Sequence, residues 1–299
     1  MNKITSIFTA LLCISVPLSS ATAQSYEWKP GGEYKGQYLV FQKGDDYSGK
    51  DFNGSVFENE WDIIGVNLDN TNWEGSYWNS MIINDSSFRG ANLRFVRDGW
   101  LNDTMAGCDV TDADITGANL PLDGEQLRST KNYKEKNLSG VALYMTDLSG
   151  VSFAGFNLTN TTFRDCNLED CDFTDADITG MRVGNLTFDQ LKTTKNYRVK
   201  DLGGIVFTNC NFDGADFRGF KLSIFHNCTF RDADLTDAVF TPVNVSGNNR
   251  RYGFDRCILT WQQFDSTNIH RDRLRLSEMT MLYCSRLKKL DIPLAGQFR

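Results

Sequence analysis

From Lys136 onward the chain keeps time in fives. Cut into blocks it reads KNLSG VALYM TDLSG VSFAG FNLTN TTFRD CNLED CDFTD ADITG MRVGN, with Leu, Phe, Ile or Val third in every block. That series runs without a break from Leu138, Leu143, Leu148, Phe153 and Leu158 through Phe163, Leu168, Phe173 and Ile178 to Val183. Two residues earlier sits a small or apolar side chain: Val141, Thr146, Val151, Thr161, Cys166, Cys171, Ala176. Asp or Asn mostly lies between the two, and Ser, Thr or Gly follows. A second run starts at Lys200 and resumes at Cys228. A rougher one has centres at Phe52, Phe57, Leu68, Trp73, Trp78, Ile83, Phe88 and Leu93. After a two-residue slip it continues through Trp100, Met105, Val110, Ile115 and Leu120.

A helical period would drift around a helix, and a strand period would flip the face at each step. A period of five predicts a chain that turns a corner every five residues, with the large residue and the small one before it both facing inward. Four such sides close a square coil, and successive coils stack by β-ladder bonds about 4.8 Å apart. Large and small residues alternate because a narrow interior must be filled without voids.

The blocks ADITG, ANLPL, ADFRG and ADLTD resemble the pentapeptide-repeat family, and the resemblance spans roughly residues 47–260. It implies an all-β fold, a right-handed quadrilateral β-helix. At four blocks per turn the body is expected to have about eight to ten coils and a length of about 40–50 Å. The expected divisions are a signal peptide at 1–23, an N-terminal cap at 24–46, the coil at 47–247, and a degenerate repeat with a C-terminal cap at 248–299.

Two stretches break the beat in nearly the same words, EQLRSTKNY at Glu125–Tyr133 and DQLKTTKNY at Asp189–Tyr197. Asp123 with Gln126, and Thr187 with Gln190, have the spacing of a helix capping box, and Leu122 with Leu127, and Leu186 with Leu191, that of a hydrophobic staple. Thr260 and Gln263 make a third copy. Each predicts a short helical excursion. The motif Y-x-x-K-[DN]-[LF]-x-G follows at Tyr133 and Tyr197 and occurs also at Tyr47, which predicts three returns to the coil. Counting sides between Leu138 and Leu202 puts the first two excursions on one side of the solenoid, about 14 Å apart. Insertions on one face of a solenoid often bind. Gln126, Arg128, Lys131 and Tyr133, with Gln190, Lys192, Lys195 and Tyr197, are therefore a candidate interaction face, alongside the plainer reading of corner fillers left by duplication.

The N-terminus carries Lys3, an apolar run from Ile4 to Leu12 and a small-residue site at Ala21-Thr22-Ala23. This is the grammar of a secretory signal peptide, and it predicts export to the periplasm, envelope or medium. No other segment is apolar enough to cross a membrane. An exported chain permits disulfides. Six cysteines (Cys108, Cys166, Cys171, Cys210, Cys228, Cys257) occupy the small inward position, where a thiol acts as a small hydrophobe. The alternative is one bond between Cys210 and Cys228, stacked if the step from Leu222 to Phe225 is one short side. The N-x-[ST] triplets are by-products of the repeat.

The net charge of −7 argues against general binding to nucleic acid or anionic membrane. Acid gathers at Asp165, Glu169, Asp170, Asp172, Asp175 and Asp177, while residues 248–299 carry ten Lys/Arg against five Asp/Glu. A solvated repeat face explains the acid; a basic partner or calcium are the alternatives, although calcium lacks a wrapping loop here. The only histidines are His226 and His270, and no nucleophile, metal or phosphate motif is present. The expectation is a non-catalytic scaffold with no cofactor and an unknown protein partner. Two alternatives stand beside it: a DNA mimic that binds topoisomerase, as some relatives in the resembled family do, and an enzyme using His226.

Overall fold

The computed structural model describes residues 21–27, 35–57, 61–78, 81–98 and 105–240, and the short strands 243–245, 249–251, 253–255, 258–260 and 280–282. The chain winds into a four-sided parallel coil. Side one passes through Asp46, Asn67, Ser87 and Asp109, and side two through Asp51, Asn72, Asn92 and Asp114, each residue bridged to its neighbour one coil away. Side three holds the strands Ser55–Phe57, Tyr77–Trp78 and Arg97–Asp98; side four holds Trp61–Ile64 and Met81–Asn84. The offset of about twenty residues is four sides of five.

Why five works is visible in the backbone. The residue ending a side repeatedly takes a left-handed conformation, as at Gly150 (φ 65°), Gly155 (71°), Asn160 (57°), Asp165 (58°), Asp170 (56°) and Asp175 (61°). Glycine enters that region without steric cost, and Asn and Asp tolerate it best among the rest. The composition rich in Gly, Asn and Asp is therefore a list of corners. The bond across each corner recurs too: Val151 N–H to Leu148 O, and Phe156 N–H to Phe153 O, both at 3.0 Å.

The inward residues form one continuous core. Leu138, Leu143, Leu148, Phe153, Leu158, Phe163 and Ile178 are each 0 % exposed, as are Trp73, Phe88 and Phe230. Aromatic rings stack along the axis, with Phe153 over Phe173 at 5.3 Å and Phe207 over Phe225 at 5.3 Å. Small inward positions carry Ala, Ser, Thr, Val or Cys, and the hydroxyls among them bond back to the coil: Thr161 Oγ1 donates to Leu138 O at 2.8 Å.

Side three runs unbroken through ten rungs: Val56, Tyr77, Arg97, Asn119, Ala142, Thr162, Arg182, Val206, Ile224 and Gly253. Nine spacings make a body about 43 Å long. The short side expected at Leu222 is real, since Phe207 pairs with Phe225 in register. The strand Gly253–Asp255 adds a rung beyond residue 248, where the sequence beat is already lost. At the other end the strands Ala21–Glu27 and Lys35–Phe41 pair antiparallel, and Ser25–Glu27 lies antiparallel on Ser55–Phe57. An antiparallel hairpin thus covers the starting edge of the coil, which an open ladder requires.

Candidate functional site: the paired helical cassettes

At each interruption the chain forms two short helices rather than the single one expected. In the first cassette α1 spans Gly124–Ser129 and α2 spans Lys131–Lys134; in the second α3 spans Phe188–Thr193 and α4 spans Lys195–Arg198. The capping boxes form as read. Asp123 accepts from Gln126 N–H at 2.9 Å, and Gln126 Oε1 accepts from Asp123 N–H at 3.0 Å. Thr187 and Gln190 repeat this at 3.2 and 3.0 Å. Leu122, Leu127, Leu186 and Leu191 are all buried.

The break between the helices belongs to Thr130 and Thr194. Each sits in extended backbone (φ −65°, ψ 155°; φ −69°, ψ 153°), ending one helix and capping the next. The Thr130 hydroxyl donates to Leu127 O at 2.7 Å and accepts from Tyr133 N–H at 3.2 Å. Thr194 does the same with Leu191 and Tyr197.

Asn132 and Asn196 then splice the helices into side two. Lys131 N–H bonds Ala113 O at 3.1 Å, as a regular rung would, and Asn132 Oδ1 accepts from Ile115 N–H at 2.7 Å. Asn132 Nδ2 donates to Thr116 Oγ1 at 2.9 Å, and Asn132 O accepts from Asn137 N–H at 2.9 Å. Asn196 repeats the set with Ile178, Thr179 and Asp201. The sequence reading passed over these residues, although the identical run TKNY in both copies marked them.

The return to the coil is also duplicated. Tyr133 packs on Phe156 at 4.8 Å and donates to Ser152 O at 2.7 Å; Tyr197 packs on Phe220 at 4.8 Å and donates to Asp216 O at 2.8 Å. Lys136 and Lys200 take left-handed backbone and donate to Ala154 O and Arg218 O. The expected third return at Tyr47 is corrected: Tyr47 N–H bonds Asn67 O at 2.8 Å within an ordinary coil side, and the positive φ falls on Gly49 rather than on Lys50. Three copies of a spacing conceal two backbones. Of the third capping box, Thr260 ends the strand Ile258–Thr260, and Gln263 lies outside the described residues.

The two cassettes do lie on one side. Asn137, Asn157 and Asp177 form one ladder, and Lys195 follows Asp177 as Lys131 follows Asp114. Three rungs separate them, about 14 Å. The eight candidate contact residues divide on inspection. Gln126 and Gln190 are consumed inside: Gln126 Nε2 donates to Met105 O and Cys108 O, and Gln190 Nε2 to Leu168 O and Cys171 O. Tyr133 and Tyr197 are half-buried. Lys131 and Lys195 are exposed but bridge down to Asp114 and Asp177, at 3.2 and 2.9 Å. Lys134 pairs likewise with Asp112, and Arg198 with Asp175. Arg128 is exposed, and Lys192 pairs with Asp189 at 2.7 Å while lying 5.0 Å from the Phe188 ring centre.

The remaining candidates resolve into packing. Cys210 and Cys228 do stack, through the Asn211–Thr229 bridge, and both are free thiols; the alternative of a bond between them is not formed. In-register parallel neighbours hold their Cβ atoms side by side at about the 4.8 Å rung spacing, beyond the usual disulfide range. Each thiol donates to a carbonyl instead, Cys210 to Thr208 O and Cys228 to Phe207 O and His226 O. Burial pushes Cys108, Cys166 and Cys171 up to about 11, away from thiolate reactivity. Cys257 and His270 lie outside the described residues. His226 faces outward from the strand Ile224–His226, half-buried.

In the acidic patch, Asp165, Asp170 and Asp175 are left-handed corners. Asp172 and Asp177 accept from the N–H of Thr174 and Thr179, at 2.8 and 3.2 Å. Cations from the next coil interleave with such carboxylates, as Lys221 does with Asp201 and Arg89 with Asp109. Among the described residues no cluster of three His, Cys, Asp or Glu is placed to hold a metal, and no helix is long and apolar enough to cross a membrane.

Residues 137–180 and 202–247 match pentapeptide-repeat models. Those segments are pentapeptide repeats, and they lie within the four-sided parallel β-helix described above. Among solved structures the chain is similar to HetL, a pentapeptide repeat protein involved in heterocyst differentiation regulation from the cyanobacterium Nostoc sp. strain PCC 7120. Identity is 15 %, over 66 % of this chain and 89 % of that one, with a TM-score of 0.26. It is also similar to full-length QnrB1, a plasmid-mediated fluoroquinolone resistance protein, at 13 % identity over 80 % and 92 %, with a TM-score of 0.23. No curated protein matches the chain.

Proposed function

We propose that this chain belongs to the pentapeptide-repeat family throughout and works as an exported, non-catalytic scaffold that binds a protein through its cassette side. One observation carries the reading: the two cassettes repeat the same three cationic positions three rungs apart. Arg128, Lys131 and Lys134 of the first correspond to Lys192, Lys195 and Arg198 of the second, all exposed. Charge sign is kept in all three pairs while residue type is exchanged in two, as suits an electrostatic contact more than a packing one. The partner surface is acidic, with two patches about 14 Å apart.

Export rests on the N-terminal charge, the apolar run and the Ala-x-Ala site. A cut after Ala23 removes three residues that pair with Leu39–Phe41 and keeps Ser25–Glu27, which pair with the first coil. The test is twofold. Fractionation with N-terminal sequencing is expected to find a mature protein starting at Gln24 outside the cytosol. Pull-down from an envelope extract is expected to capture a partner that is lost when Arg128, Lys131, Lys192 and Lys195 are changed to Glu. A partner retained by that variant would exclude the cassette side. The topoisomerase-binding alternative is weakened by the cations set between carboxylates, which break up a continuous negative face.

A further inference from the structure

Sides one, two and four present the same outward chemistry. Their first outward position is commonly Asp or Asn, whose oxygen accepts the N–H two residues on, as with Asp109 and Thr111, Asp177 and Thr179, and Asn167 and Glu169. Side three differs between Ala142 and His226. It is the side with full strands, and no Asp or Asn stands in its outward columns there. One column reads Tyr144, Arg164, Gly184, Thr208, His226.

Gly184 is anomalous in that column. It is not a corner glycine: it ends the strand Arg182–Gly184, outside the left-handed region that Gly180 occupies at φ 70°. A Cβ placed there would meet Thr208 O at 3.6 Å and Asp165 N at 3.7 Å, ordinary contacts. Neither the backbone nor the packing demands glycine. Glycine weakens a strand, and in one it often marks a bulge, a bend or close approach by a ligand or another backbone. A cavity of about 420 Å³ lies against Gly184 on the outer face, lined also by Tyr144, Arg164, Asp165, Arg182, Thr208 and His226.

The lining carries two arginines against one carboxylate, on an acidic molecule. Arg164 lies 4.6 Å from the Tyr144 ring centre, with its Nε 3.8 Å from Asp165. Arg182 is exposed, and no described carboxylate is within ion-pair distance of it. Two guanidinium groups lining one cavity, beside the buried Gly184, suit a planar or tetrahedral oxyanion. We propose that the Gly184 notch is a binding site for a small oxyanion, a carboxylate or phosphate group, held by Arg182 and Arg164.

The test is an amide NMR titration of the folded protein with inorganic phosphate and, separately, with acetate at constant ionic strength. Saturable shifts at Gly184 and Arg182 are expected for at least one anion. Saturation by acetate alone assigns a carboxylate, and by phosphate alone a phosphate. Arg182→Gln is expected to weaken binding about tenfold or more, as the loss of a charged hydrogen bond does. Gly184→Val, which fills the notch with a good strand former, is expected to abolish it. Shifts that grow linearly with salt, or equal affinity in wild type and Arg182→Gln, would overturn the proposal. Arg182 is exposed, so its variant carries the test even if Gly184→Val fails to fold.

Discussion

The Ile115 N–H ends on the side-chain oxygen of Asn132, 2.7 Å away, where Leu93 and Leu138 at the same position in other coils end on a backbone carbonyl. Asn132 is 4 % exposed and Asn196, its twin, 6 %. Replacing either with Ala strands a buried N–H, at a cost of about 1–3 kcal/mol. Thermal melts of Asn132→Ala and Asn196→Ala should both fall, and an unchanged midpoint would show that the splice is dispensable.

Thr130 and Thr194 serve two helices each. Thr194→Val keeps the shape and removes both hydroxyl bonds, so it is expected to cost about 1 kcal/mol, the usual value of a helix cap. Denaturant titration reads this directly, and hydrogen exchange should quicken first in α4.

The corners make a sharper prediction. Asp170 holds φ 56°. Asp170→Gly should be neutral or stabilising, whereas Asp170→Val should cost about 1–2 kcal/mol for forcing a branched residue into left-handed backbone. Equal destabilisation by both would mean that the carboxylate, not the conformation, is what the position needs.

Acid should loosen the coil over a defined range. Hydrogen bonds from the Arg218 side chain and backbone hold Asp216 at about 2, and those from Thr174 hold Asp172 below the ordinary carboxylate value. A depressed folded value means stability that is complete above the unfolded pKa of about 4 and lost as pH falls through the folded one. Melting temperatures should therefore decline between about pH 4 and pH 2. A flat profile there would sink the assignment.

Thiol chemistry offers an independent check on the core. Cys108, Cys166, Cys171, Cys210 and Cys228 are buried and free. Alkylation of the native, unreduced protein should leave them unlabelled, and alkylation in denaturant without reductant should label all five. A peptide map with Cys210 and Cys228 both unlabelled and joined would restore the bond between them.

The coil was legible because its rule is local. A side chain every five residues, with its small partner two before, reports a four-sided turn at every step, and Leu138 to Val183 never misses. The capping boxes were legible for the same reason, since Asp123 and Gln126 lie within one helical turn. Asn132 was not, because its partners Ile115 and Thr116 belong to the coil below and no spacing within TKNY reveals them. The Tyr47 motif misled because side-chain identity at fixed spacing does not fix where a positive φ falls; Gly49 took it. Gly184 was invisible among many glycines, and only its φ and its column on side three set it apart.

Side three passes both cassettes without losing a rung, and that continuity makes length quantised. Residues 132–195 begin and end at equivalent splice points, Asn132 and Asn196. Excising them would join Lys131 to Asn196 in register and shorten the body by about 14 Å, with one cassette and its neighbours unchanged. A chain so constructed can evolve as a ruler, gaining or losing whole divisions while every remaining mark keeps its face.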